Sequence, residues 1–192
     1  MTENAKKKRR FRQRDWLSVA MDVLSRKGSS KITIDSLCSE LGVTKGSFYG
    51  HFENRDDFIQ MLISFWAEEF STVVMTEIEE RGDELAIDRL RSLMHLIVKR
   101  DLARYDVAVR AWAAQEPLIT DQVDTVFKKR FEYVRGLFRE IGFSGAELDL
   151  RTEVFVAIHS SRSNRHTIMG DVVTPEDLEL RFRFFTTPHA TP

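Results

Sequence analysis

The sequence predicts an all-α protein. Apolar residues recur at helical spacing along almost the whole chain, the four prolines and nine glycines fall mostly at segment ends, and hydrophobic and charged contents of 42% and 31% suit a globular chain with a core. A length of 192 residues is enough for one or two compact units. One cysteine, Cys38, excludes an intramolecular disulfide framework and fits a reducing compartment. No apolar run approaches the roughly 18 residues of a membrane span, and the start lacks the apolar core of a signal peptide, so the expected location is cytoplasmic with no membrane partner.

The net charge of −1 conceals an asymmetry. Residues 1–52 hold 11 Lys/Arg against 5 Asp/Glu, and residues 53–192 hold 18 against 25. A basic head on an acidic body suits a nucleic-acid reader with a separate regulatory part. The chain begins with Lys6-Lys7-Lys8-Arg9-Arg10, then Arg12 and Arg14, a run able to follow phosphates or lie in a minor groove, or simply to be a solvated tail. Trp16, Leu17, Ala20, Met21 and Leu24 form the stripe of a first helix ending at Gly28.

Residues 33–52 read as two short helices around a tight turn. Thr33 caps the first, whose apolar face is Ile34, Leu37, Cys38 and Leu41, and Gly42 supplies the positive φ of its exit. Thr44 is a second N-cap. The helix it opens, residues 45–49, is too short to stand alone and must be held through Val43, Phe48 and Phe52. Its outward set is Thr44, Lys45, Ser47, Tyr49 and His51, with no carboxylate among them. Hydroxyls, an amine and an imidazole suit a polyanion, and a second helix of this kind enters a major groove. The plain alternative is a solvated helical hairpin.

After Phe52, Asn54 caps a long helix with Asp56 and Asp57 in its first turn, reaching about residue 80 and breaking at Arg81-Gly82-Asp83. It bridges head and body, so a signal between them is expected to run along it or across its packing. Helices follow at about 85–100, at 105–116 stopped by Pro117, and at 118–141 ended by Gly142. A further helix is expected from Ala146 to about Met169, and a last one from Thr174-Pro175-Glu176-Asp177, although its RFRFF run also alternates like a strand.

The order Thr33, Leu37-Cys38, Leu41-Gly42-Val43-Thr44-Lys45-Gly46-Ser47-Phe48-Tyr49-Gly50-His51-Phe52, then Asn54-Arg55-Asp56-Asp57-Phe58, closely resembles the DNA-binding signature of the tetracycline-repressor (TetR) family. Cys38, Gly50 and Phe58 depart from the family's usual occupants. The resemblance implies an N-terminal three-helix helix–turn–helix DNA-binding domain joined to an α-helical ligand-binding and dimerisation domain, about nine helices in all. The boundaries expected are 1–53 for the basic arm and reading unit, 54–186 for the body and 187–192 for a disordered tail. DNA-binding residues are expected at Thr33, Thr44, Lys45, Gly46, Ser47, Tyr49 and His51, with Thr33, Tyr49 and His51 on phosphates and Lys45 and Ser47 on bases. The family characteristically dimerises through its last two long helices and binds a small molecule in the body. Large side chains there (Trp66, Phe70, Met94, Tyr105, Trp112, Phe127, Phe131, Phe155), with His95, His159 and Arg162, are the candidate lining, although such stripes are more often core.

No HExxH, paired CxxC, P-loop, GxGxxG or GxSxG occurs, so neither catalysis nor a cofactor is expected. His159 and His166, two turns apart, are too far apart to chelate one ion unaided, and Cys38 faces inward as an inert thiol. The function expected is a dimeric transcriptional repressor on an inverted-repeat operator, released by an unidentified effector. The alternative is an all-helical enzyme or protein-interaction module whose hairpin coincidentally looks like the motif.

Overall fold

The structure is a computed structural model that describes residues 11–83, 85–161 and 173–188. The basic run at 6–10, Arg162, His166 and His189 lie outside the described residues. Every regular element among those described is helical. In the head, α1 (Gln13–Lys27) leads through a 3-10 turn (Ser29–Lys31) to α2 (Ile34–Leu41) and α3 (Lys45–Tyr49). The Thr33 hydroxyl accepts from Ser36 N at 3.2 Å, and Gly42 closes α2 at φ 65°, ψ 37°. Thr44 has the extended backbone of a cap, but its side chain makes no capping bond, so the second cap expected from the sequence is one of backbone conformation alone.

The long helix is interrupted. α4 (Arg55–Ala67), capped by Asn54 Oδ1 on Asp57 N at 2.9 Å, passes through a π turn (Glu68–Thr72) into α5 (Val73–Glu80). The buried residues explain the turn. Phe58, Ile59, Leu62, Ile63 and Trp66 share one stripe of α4, whereas Val74 and Ile78 are the buried pair of α5. At about 100° per residue, an unbroken helix would set that pair about 100° off the stripe. The one extra residue of a π turn brings it back into line.

The body continues with α6 (Ala86–Lys99), α7 (Ala103–Ala113), α8 (Pro117–Ile141), α9 (Gly145–His159) and α10 (Pro175–Thr186). α7 ends at Ala113, ahead of the expected stop at Pro117, whose fixed φ and missing N–H suit the first position of α8, where it stands. Gly142 ends α8 at φ 115°. α9 stops at His159, short of the expected Met169, and Ser160 and Ser161 follow as bends. The RFRFF run is helical because Thr174 and Asp177 form a reciprocal capping box at 3.1 Å each way.

Two apolar clusters fill the molecule. One joins α1 to α4 with Tyr105, Val109, Trp112, Ile119, Val123 and Val126 of α7 and α8; the other lies among α5, α6, α8, α9 and α10. α4 is therefore not the sole bridge between head and body, as the sequence had suggested. α1 packs directly on α7, where the Tyr105 hydroxyl donates to Asp22 at 2.9 Å and Arg104 pairs with the same carboxylate at 3.1 Å.

Candidate functional site

α3 is five residues long and is held from behind by rings. Phe48 and Phe52 are buried against Trp16 at centroid separations of 5.6 and 6.3 Å, and Phe58 of α4 closes the group at 5.4 and 5.0 Å. Edge-to-face aromatic pairs at these distances add about 0.5–1.5 kcal/mol each beyond area burial. That packing supplies the rigidity a helix of one turn lacks.

The outer face carries the residues singled out in the sequence. Thr33, Thr44, Lys45, Gly46 and Tyr49 are exposed, and Ser47 and His51 are half-buried. Tyr49 is 56% exposed with its ring edge on Phe48 at 5.4 Å, so its hydroxyl is directed outward from a supported ring. His51 rests its ring near Trp16 at 6.4 Å, and its carbonyl accepts from Gln13 Nε2 at 3.0 Å, which ties the end of the turn after α3 to α1. A Cβ on Gly46 would meet only Thr44 Oγ1 at 3.8 Å, so glycine there is not demanded by the protein's own packing.

One residue on this face was missed. Asp35, in the first turn of α2, pairs its carboxylate with Lys45 Nζ at 2.7 Å, with the side chains 75% and 60% exposed. The hydrogen bond and charge of Asp35 hold the Lys45 ammonium above its ordinary pKa. The face thus carries a paired rather than a bare cation. The signal was present in the sequence, since the N-termini of both helices of such a hairpin face the same way. Cys38, behind Asp35, is buried, and burial pushes its thiol pKa up.

In the body, helices α5 to α9 and the π turn line a cavity of about 50 Å³ that is partly open to solvent. Phe70, Phe155 and His159 line it, together with Val74, Leu93, Ile97, Leu102 and Val134. The other described candidates lie elsewhere. Trp66, Met94, Tyr105 and Trp112 are buried in the two clusters, and Phe127 is half-buried beneath the Arg110 guanidinium at 3.6 Å. His95 is exposed and Phe131 is half-buried away from the cavity wall.

Sequence reasoning also missed the charged pair in the cavity wall. Asp106 is 3% exposed and receives Arg130 Nη1 at 2.5 Å and Trp66 Nε1 at 3.2 Å. Burial raises the pKa of this carboxyl, against the opposing pull of Arg130 and Trp66. Arg130 also donates to Ser71 Oγ at 2.7 Å and to the Phe70 carbonyl at 2.9 Å, so it satisfies the backbone of the π turn. Arg151, buried on α9, donates to the carbonyls of Phe184, Phe185 and Thr187 at 3.1, 2.7 and 2.7 Å and locks α9 to the end of α10.

Residues 17–62 match the family model described as bacterial regulatory proteins, tetR family. Nucleoid occlusion factor SlmA of Vibrio campbellii is 26% identical over 139 residues, 70% of this chain and 69% of that protein. A TetR transcriptional regulator from Legionella pneumophila superposes with a TM-score of 0.70 at 14% identity, over 96% of both chains. AibR, solved in complex with isovaleryl coenzyme A and operator DNA, superposes with a TM-score of 0.67 at 15% identity, over 92% of this chain and 99% of that one. No helix among the described residues is long and apolar enough to cross a membrane. Residues 17–62 thus match the N-terminal unit of the tetR family of bacterial regulatory proteins, and the chain as a whole shares the fold of solved regulators.

Proposed function

We propose that the chain is a transcriptional regulator of the TetR family, a homodimeric repressor of an inverted-repeat operator released by a small molecule held in the body cavity, and that it carries no catalytic activity. Residues 1–53 form the reading unit and 54–186 the regulatory and dimerising body. Thr33, Tyr49 and His51 hold phosphates, Lys45 and Ser47 reach base edges, and Thr44 and Gly46 let the backbone of α3 approach the groove.

The observation that carries this reading is a clamped one-turn helix on a chain that also leaves large apolar side chains exposed, among the described residues, on α9 and α10. Leu150 of α9 and Leu180 and Phe184 of α10 are 61%, 60% and 59% exposed. One five-residue helix cannot specify a site alone, and a two-fold pair reads half-sites about 34–36 Å apart. AibR, with effector and operator together, supports the use of this fold for both partners. An effector preferring the conformation whose reading helices mismatch the groove would weaken operator binding roughly 5- to 150-fold, and operator would weaken effector binding equally.

The test is selection of bound fragments from random duplexes, followed by sedimentation with and without Phe184→Glu. An inverted repeat bound by a dimer, lost on substitution, is expected. A monomer at micromolar concentration that still binds its selected sequence specifically would refute the dimeric reading.

A further inference from the structure

Among the described residues, Asp35 and Lys45 make the one ion pair that joins α2 to α3, and it stands on the reading face with both side chains more than half exposed. An exposed pair of this kind adds little to stability, and salt screens it. A carboxylate is also repelled by every phosphate it approaches. Neither folding nor attraction to the DNA backbone therefore accounts for Asp35 beside Thr33, Thr44, Lys45, Ser47 and Tyr49, whose polar groups can all donate.

A carboxylate only accepts, and an ammonium only donates. With Lys45 Nζ 2.7 Å from Asp35 Oδ1, the two set a donor and an acceptor side by side. The floor of a major groove offers the matching couple. In a G·C pair, cytosine N4 donates to guanine O6 at about 2.9 Å, and both atoms keep hydrogen-bonding capacity toward the groove. The two spans agree. Polarity then ranks the four base pairs. Guanine sets a second acceptor, N7, beyond O6, within reach of the same ammonium. A T·A pair offers O4 to the ammonium, but the thymine methyl crowds it and adenine N7 repels the carboxylate. C·G and A·T present the couple in reverse, donor to ammonium and acceptor to carboxylate. We propose that Asp35 is a specificity-determining residue that accepts from cytosine N4 while Lys45 donates to guanine O6 and N7, so that the two side chains read one G·C pair as a unit; this rests on reading Lys45 as a base contact. Repulsion of the carboxylate by phosphate falls on every sequence, whereas its hydrogen bond forms only at that pair. Asp35 thus widens the margin between operator and other duplexes.

The experiment takes the duplex selected by the wild-type chain and changes single atoms in one half-site. 7-Deazaguanine removes guanine N7, and N4-methylcytosine keeps Watson–Crick pairing but puts a methyl where the groove-facing N4–H was. Each guanine and its partner cytosine are replaced in turn, and affinity is measured for wild type, Asp35→Ala, Asp35→Asn and Lys45→Ala. The readout is the ratio of unmodified to modified duplex for one protein, so a general change in attraction to phosphate cancels. At one G·C pair, wild type should lose about fivefold or more to either modification. Lys45→Ala should be indifferent to 7-deazaguanine there. Asp35→Ala should be indifferent to N4-methylcytosine yet still sense 7-deazaguanine, and Asp35→Asn, which keeps an acceptor oxygen, should retain part of the cytosine effect. A guanine sensed through Lys45 whose partner cytosine is not sensed through Asp35 would overturn the proposal and leave the reading of Lys45 standing. No guanine sensed through Lys45, or no duplex selected at all, would overturn both.

Discussion

Replacing Arg130 with methionine would isolate the buried ion pair. The change leaves Asp106, 3% exposed, with one neutral donor, Trp66 Nε1 at 3.2 Å, and strips the Phe70 carbonyl and Ser71 hydroxyl of their partner in the π turn. Breaking a buried pair from one side costs about 3–5 kcal/mol, a large part of the roughly 5–15 kcal/mol that holds a domain folded. Adding Asp106→Asn removes the stranded charge and keeps an oxygen for Trp66, so the double variant should recover about 2 kcal/mol or more. The pH dependence follows from the same burial. The Asp106 carboxyl already has its folded pKa raised, and it rises further without Arg130. A raised acid favours folding below its unfolded value, near 3.9, and loses that contribution as pH climbs to the folded value. The deficit of Arg130→Met relative to wild type should therefore shrink as pH falls from 7 toward 4. Urea unfolding of wild type, single and double variants at pH 7 and pH 5 makes the comparison. A deficit under 1 kcal/mol, or one identical at both pH values, would refute the reasoning.

Three further outcomes are expected. His159, whose folded pKa is lowered to about 4, contributes stability above its unfolded value that is lost as pH falls from 6.5 to about 4, amounting to about 3 kcal/mol; His159→Phe should flatten that part of the stability–pH curve, and an unaltered curve would show the ring is not buried neutral. Asp35→Asn releases Lys45 from its 2.7 Å pair and should tighten binding to every duplex while steepening the salt dependence by about one charge, whereas Lys45→Ala should alter base preference at about 1–3 kcal/mol; salt titrations of operator and scrambled duplex separate the two. Gly50 has helical φ −75° and ψ −11°, and a Cβ would sit at an ordinary 3.4 Å from the Ser47 carbonyl, so Gly50→Ala should stabilise by about 0.4–1 kcal/mol, read as a shift in urea midpoint.

The head was largely legible because its determinants are local. Thr33, Gly42, Asn54 and the apolar residues between them specify starts, stops and buried faces within a few positions. Relations between elements were less visible. Periodicity identified Trp66, Met94 and Trp112 as large and inward, but it does not tell a side chain packed on another from one beside a void, and only Phe70, Phe155 and His159 of the described candidates border the cavity. Asp106 and Arg130, 24 residues apart, carry no shared pattern and meet only because α7 packs on α8. The contact of α1 with α7, set by Asp22 and Tyr105 across 83 residues, was invisible for the same reason.

The π turn at Glu68–Thr72 also governs how this protein can be recombined with others. A chimera that keeps the head through Ala67 and joins it to another body by a straight α-helix would rotate the two by about 100° relative to each other, with every contact inside each half intact. In a two-fold assembly both heads would turn together, so the spacing and facing of the reading helices would change although no residue near DNA had been altered. Joining at Asn54, or carrying the whole stretch through Thr72, keeps the phase. Register along this stretch is thus a heritable property in its own right, and a one-residue deletion here would turn the head against the body.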